Sequence, residues 1–380
     1  SGRGLIGVVL GESSDSVGCL DVWSDGTIIK SSSVVVDEEY MPWRGKDDEY
    51  QPLLPTTRVA RQPAAPPLSL DPVLPHAGFG RPDATTAPSQ ITAQPAPRLN
   101  LLNLFSGPYH RTRGLADRLR SFGWASITQV DSDAKVGGGW THNLLNDELY
   151  SNLKRRCTNG EFHALMIAFP CSTFSVARFF DASEDDPGPP VLRKKPNHAD
   201  GLPEDQIPGQ HLKELRESNT ILERTVELAI CARNSPANAT IIFENPSDRS
   251  VVASNQFIRG CEEHATLFDT SQIKRFIDAV GANQLSQATF AQCRFDGDFQ
   301  KYTTLLYTND ASRVLDPLAG EGYQCNHAAG EHRKSAGGRD ELDEWKSKEA
   351  AAFPDALNVR LAMAFTAART GSPEPVLAQA

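Results

Sequence analysis

From residue 98 onward, short apolar runs alternate with longer amphipathic stretches. Runs at 99–105, 125–130, 163–169, 239–243 and 303–307 are too short for core helices. They are also too continuously apolar for strands with one wet face, so they read as buried parallel strands. Between them, stretches such as 114–122 and 212–233 have helical spacing. This alternation predicts an α/β fold, an open and mostly parallel sheet with helices on both faces. Residues 4–40 follow a shorter rhythm, with candidate strands at 5–10, 18–23, 27–30 and 33–36. Ser24-Asp25-Gly26 between β-branched runs is a hairpin signal, so a small N-terminal β unit is expected.

Composition separates the two patterns. Residues 52–97 hold 11 of the 26 prolines, with Ala, Thr and Gln filling most of the rest. Proline removes backbone donors and favours extended conformers, so a flexible, partly polyproline-II linker is expected. The expected organisation is a β unit at 1–50, a linker at 51–97, an α/β domain at 98–370 and a tail at 371–380. No apolar run reaches the ~18 residues of a membrane helix. Residues 1–10 lack the apolar stretch of a signal peptide. Seven scattered cysteines argue for a reducing compartment over a disulfide scaffold. A net charge of −10 excludes a globally basic nucleic-acid binder, yet leaves room for a local basic channel.

In a parallel α/β sheet, ligands bind beyond the carboxyl ends of the strands. The first strand leads into Phe105-Ser106-Gly107, where the glycine permits a tight turn and close approach of a ligand. The second leads into Asp131-Ser132-Asp133, and an acid there can accept both hydroxyls of a ribose. The third leads into Phe169-Pro170-Cys171-Ser172-Thr173-Phe174-Ser175, with a cysteine where a nucleophile belongs. The fourth leads into Glu244-Asn245-Pro246, which puts a carboxylate on the same edge.

Taken together, "LNLFSG", "VDSD", "AFPCSTFS" and "FENP" resemble, in order and strand context, the cytosine-5 DNA methyltransferases. "PCSTFSVAR", "QCRFDGDFQKYTT", "CNHAAGEH" and "AAAFPDAL" look most like the divergent branch carried by retroelements. The N-terminal "VVLGESSDSVG" and "LDVWSDGTIIKSSSVVVDEE" resemble the SH3-like module of copia-type retrotransposon polyproteins. The resemblance implies a Rossmann-like S-adenosylmethionine-dependent methyltransferase sheet, encoded in a retrotransposon polyprotein. It implies DNA as partner, no membrane, and a nuclear location with a cytoplasmic particle stage. The alternatives are an RNA cytosine-5 methyltransferase and a non-catalytic nucleic-acid-binding module.

The resemblance also implies roles. Cys171 would add to cytosine C6 and Glu244 would hold N3 and the exocyclic amine. Phe105, Ser106, Gly107, Asp131, Ser132, Pro170 and Asp147 would line the methyl-donor site, and the segment 350–365 would close it. The family's arginine motif is altered. Tyr302 and Thr304 stand where its arginines belong, so Lys301, Arg294 or Arg178 would supply the charge. Ser175, Gln300 and Thr303 are expected near nucleic acid. Arg193, Lys194 and Lys195 are expected on a mobile loop touching phosphates. Cys325-Asn326-His327, with His332 and Cys293, matches no strong zinc spacing, so no metal is assigned and a structural cluster is expected.

Overall fold

The computed structural model describes residues 8–12, 20–24, 27–31, 98–181, 188–328, 331–334 and 346–373. The chain divides into two units, residues 1–89 and 90–380. In the first, β1 (Val8–Glu12), β2 (Leu20–Ser24) and β3 (Thr27–Ser31) form an antiparallel sheet in that order. Ser24 pairs with Thr27 across the Asp-Gly step, as the hairpin signal requires. The expected strand at 33–36 and the proline-rich stretch at 51–97 lie outside the described residues.

The second unit is built on six strands: β4 (Asn100–Leu104), β5 (Ser126–Val130), β6 (Ala164–Ala168), β7 (Thr240–Pro246), β8 (Leu285–Ala291) and β9 (Tyr302–Thr308). Their order is β5-β4-β6-β7-β9-β8. β4 pairs in parallel with β5 and β6, and β6 with β7. β9 is antiparallel to both β7 and β8, which corrects its expected parallel direction. The cause is the connection: residues 292–301 are too few for the dozen or more that a parallel crossover needs. The fold is α/β and Rossmann-like.

Successive residues of β6 serve opposite faces. Ala164 and Met166 join Leu101, Trp124 and Phe365 in one core, while Leu165 and Ile167 join Leu102, Val226 and Phe276 in the other. Helices α1 (Leu115–Ser121) and α6 (Asp355–Thr370) cover the first face. Helices α2 (Asp147–Thr158), α3 (Gly209–Arg233) and α4 (Ser271–Val280) cover the second. Helix α5 (Ser312–Leu315) packs on α6. This two-sided burial explains why the central strands read as mostly apolar runs. The chain leaves β4 for β5 on one side and returns to β6 on the other, so the crevice opens at the carboxyl ends of β4 and β6.

Candidate active site

A cleft of about 640 Å³ occupies that crevice. Its first wall is the turn after β4. Phe105 sits at φ 60°, and the amides of Phe105 and Ser106 both donate to the Val130 carbonyl, which bends the chain back over β5. Gly107 follows at φ 66°, and a Cβ there would meet nothing within 4 Å, so the turn leaves open space. The Gly107 amide donates to Asp131 Oδ2 at 2.8 Å, and the Asp133 amide to Asp131 Oδ1 at 2.9 Å. Each carboxylate oxygen keeps a lone pair for a ligand. Tyr109 also lines the cleft, and its hydroxyl accepts from the Asp131 amide at 3.4 Å.

Gly138 closes this wall by proximity. A Cβ on it would lie 1.7 Å from the Asp131 carbonyl oxygen and 3.0 Å from that of Asp133. Both are backbone atoms that cannot swing aside. Gly138→Ala is therefore expected to cost about 1–3 kcal/mol and to displace the Asp131 turn. Thermal unfolding checks this against Gly209→Ala, where a Cβ meets nothing within 4 Å.

The opposite wall comes from the end of the chain, where the expected closing segment resolves into a 3-10 turn (Lys346–Ala351) and α6. Pro354 caps α6, so the helix starts later than the sequence pattern implies. Arg111 Nη2 donates to the Phe353 carbonyl at 2.9 Å, and Asn358 Nδ2 donates to the Arg113 carbonyl at 3.0 Å. These bonds tie the loop after β4 to the C-terminal helix across the cleft.

The floor carries the reactive groups. Cys171 follows β6 and is partly buried. Glu244 is 4% exposed at the end of β7, paired across the sheet with Ala168. Both line the cleft together with Lys301 and Pro170. Asn245 sets the cysteine loop, because its Nδ2 donates to the Phe169 carbonyl at 2.8 Å and staples that loop to β7. Lys301 Nζ stands 3.8 Å from Glu244 Oε1, and Thr303 Oγ1 donates to the same oxygen at 3.4 Å. Desolvation raises the Cys171 thiol; the Lys301 charge opposes that shift and Glu244 adds to it. Desolvation also pushes the Glu244 carboxyl above its ordinary range, against the pull of Lys301 and Thr303. A carboxyl held towards its protonated form can donate a proton or hydrogen bond.

This raised pKa has a consequence for stability. A group whose folded pKa lies above its unfolded value contributes stability that is complete below the unfolded value. That contribution is lost as pH rises through the folded one. Glu244→Gln should therefore gain stability relative to wild type as pH rises from the ordinary carboxylate range towards neutrality. Urea unfolding across a pH series measures this, and a pH-independent difference would overturn it.

Several predicted site residues lie elsewhere. Asp147 is 86% exposed on α2 and bonds Arg224 at 2.5 Å, because α2 packs outward against α3. Ser132 does not line the cleft. For Arg193 the expectation of a mobile loop cation is corrected. Arg193 is 2% exposed and donates to Thr173 Oγ1, the Ala199 carbonyl, Ser218 Oγ and Asn219 Oδ1, with its guanidinium 4.1 Å from the Phe174 ring centre. Lys194 pairs with Glu263 at 2.9 Å, and Lys195 pairs with Asp248 and Asp269. Arg178 is likewise buried, donating to the Ser172 and Pro190 carbonyls and to Glu214. Arg178 and Arg193 thus brace the segment after Cys171 from within. Ser175 caps the next 3-10 turn by accepting from the Ala177 amide.

Arg294 bonds the Gly322 carbonyl and Asn326 and does not line the cleft. Thr303 is fully buried against Glu244, and Gln300 is exposed beside Lys301. Tyr302 and Thr304 serve structure. The Tyr302 hydroxyl accepts from the Cys325 amide, and Thr304 bonds Thr289 across β8 and β9. Asn245, Tyr109, Arg111 and Asn358 were missed by sequence reasoning. Only Asn245 had a local signal, its place directly after the glutamate.

No family model and no curated protein matches the chain. Among solved structures, it is similar to a Dnmt2 methyltransferase of S. pombe, with a TM-score of 0.28 and 13% identity over 62% of this chain and 58% of that one. It is also similar to a putative DNA modification methyltransferase encoded within a prophage of E. coli, with a TM-score of 0.27 and 12% identity over 55% and 46%. A Spodoptera frugiperda DNMT2 mutant gives a TM-score of 0.27 and 12% identity over 63% and 57%. The chain spans about half the length of these structures. The fold assignment rests on the strand order and the reversed β9.

Proposed function

We propose that the chain is a cytosine-5 methyltransferase that uses S-adenosylmethionine and acts on DNA. The observation that carries this reading is one cleft lined by Cys171, Glu244, Lys301, Asp131 and the Phe105–Gly107 turn. The residues fit the donor. The cleft volume lies in the usual range for a small-molecule site. The Gly107 turn is open, and Asp131 keeps acceptor capacity for a ribose. Phe105, Ser106, Gly107 and Asp131 would hold the donor, with Phe353 and Asn358 facing them. When bound, S-adenosylmethionine supplies an electrophilic methyl group.

The chain's own residues then supply the rest. Cytosine C5 is a poor nucleophile until a thiolate adds at C6. Cys171, just beyond β6 in a loop that Asn245 staples through Phe169, would make that addition. Addition pushes electrons towards N3. Glu244, biased towards its acid form, donates there and neutralises the developing charge. Lys301 supplies a cation beside it, in place of the arginines that Tyr302 and Thr304 replace. A base in a duplex must leave the stack to reach this floor, at a cost of about a few kcal/mol.

The N-terminal segment supports an origin in a retroelement polyprotein and, with it, action on DNA in the nucleus. The test is covalent trapping of the full chain on DNA and RNA duplexes containing 5-fluorocytosine, with S-adenosylmethionine present. A stable adduct on DNA supports the proposal. A strict preference for RNA would move the substrate to RNA. Donor binding without an adduct on either nucleic acid would overturn the catalytic role.

A further inference from the structure

Beyond the cleft, we propose that Cys293, Cys325, His327 and His332 bind one zinc ion that holds the chain around Cys325 and His332 on the β8–β9 edge. Their four ligand atoms all lie within 4.8 Å of one another. Cys325 Sγ is 3.6 Å from His327 Nδ1 and 3.3 Å from His332 Nε2, and the two imidazole centres are 4.6 Å apart. Zinc–sulfur bonds of about 2.3 Å and zinc–nitrogen bonds of about 2.0–2.1 Å give a tetrahedron with edges of roughly 3.3–3.8 Å. The two sulfur–nitrogen distances fall on or near those edges. Two thiolates and two neutral imidazoles make a mixed set that suits zinc and balances its charge.

The surroundings favour a metal over a plain hydrogen-bonded cluster. A thiol has one weak donor, so it cannot satisfy two imidazoles and a second sulfur that converge on it. The stretch from Cys325 to His332 contains no apolar side chain larger than alanine, so hydrophobic burial cannot hold it in place. Its frame is already braced. The Cys325 amide donates to the Tyr302 hydroxyl, and Arg294 reaches Gly322 and Asn326 on either side of Cys325. His327 is exposed and the other three are partly buried, which leaves an entry path for the ion. Cys293 comes from the turn after β8, at the carboxyl edge of the sheet that also carries Glu244. The ion would thus staple a segment without a core of its own beside the proposed active site. The four residues match no strong zinc spacing in sequence because Cys293 lies 32 positions before Cys325, and the chain must cross β9 and the turns after it to bring them together.

The experiment uses the full chain, purified under reducing conditions after growth with zinc, and reads metal content by mass spectrometry. About one zinc per chain is expected, falling by about tenfold or more in Cys325→Ser and in His332→Ala, with Cys231→Ser on α3 unchanged. Should a ligand variant fail to fold, wild type refilled with cobalt gives a second readout: thiolate charge-transfer absorption with the strong visible bands of a tetrahedral site. Wild type without stoichiometric zinc and without that cobalt spectrum would overturn the proposal. So would zinc retained in both ligand variants, or a Cys293–Cys325 disulfide in the metal's place.

Discussion

Cys171→Ala should abolish adduct formation on 5-fluorocytosine DNA and lower methyl transfer by about 10⁴-fold or more. That corresponds to about 5.5 kcal/mol of lost transition-state stabilisation. The size follows from the chemistry: without a sulfur at C6, the ring has no other route to a nucleophilic C5. The rest of the molecule should be unaffected. Cys171 makes no side-chain cap bond at its turn, and the loop is held by Asn245 from one side and by Arg178 and Arg193 from the other. If the Asp131 wall holds the donor as proposed, donor affinity should stay within about twofold of wild type, as isothermal titration would measure. Transfer that persists in the variant would remove Cys171 from the mechanism, and loss of donor affinity would show a wider structural effect.

Glu244→Gln should lower adduct formation and turnover by about 10²–10⁴-fold. The amide fills the same space and can offer a hydrogen bond to N3, yet it has no proton to give. Lys301→Met tests the same corner from the other side. Its removal leaves Glu244 with Thr303 as its remaining partner among the described residues and biases the carboxyl further towards its acid form. The lysine variant should therefore lose less than the glutamine variant. Single-turnover trapping rates rank the two, and the reverse order would make Lys301 the principal acid at N3.

The strands that sequence patterning located well are those buried on both faces. β4, β6 and β7 show as mostly apolar runs because helices cover each side, with only Asn103 breaking the buried part of β4. β8 escaped notice because Ser286, Gln287 and Thr289 interrupt its apolar positions, as suits an edge strand with a wetter face. The direction of β9 was hidden as well, since burial on both faces looks the same whichever way a strand runs. Only the short 292–301 connection excludes a crossover.

The site divides along similar lines. Gly107, Asp131, Cys171 and Glu244 meet in one cleft because each lies at or just beyond the carboxyl end of a strand, and those ends share one edge. The burial of Arg178 and Arg193 was not legible. Arg193, in a proline-flanked stretch, looks solvated in sequence, and only tertiary structure supplies the carbonyls, hydroxyls and carboxylate that receive it and Arg178. Asp147 has the appearance of a ligand acid but belongs to the first turn of α2, where a carboxylate favours the helix dipole.

The link between β8 and β9 bears on how this edge of the sheet could be re-engineered. Within ten positions it delivers Lys301 to the cleft and Cys293 to the cysteine–histidine cluster. Grafts that swap this link would disturb chemistry and scaffold together. Exchanges at Asn326 or Glu331, which neither line the cleft nor supply a ligand of the cluster, would leave both in place.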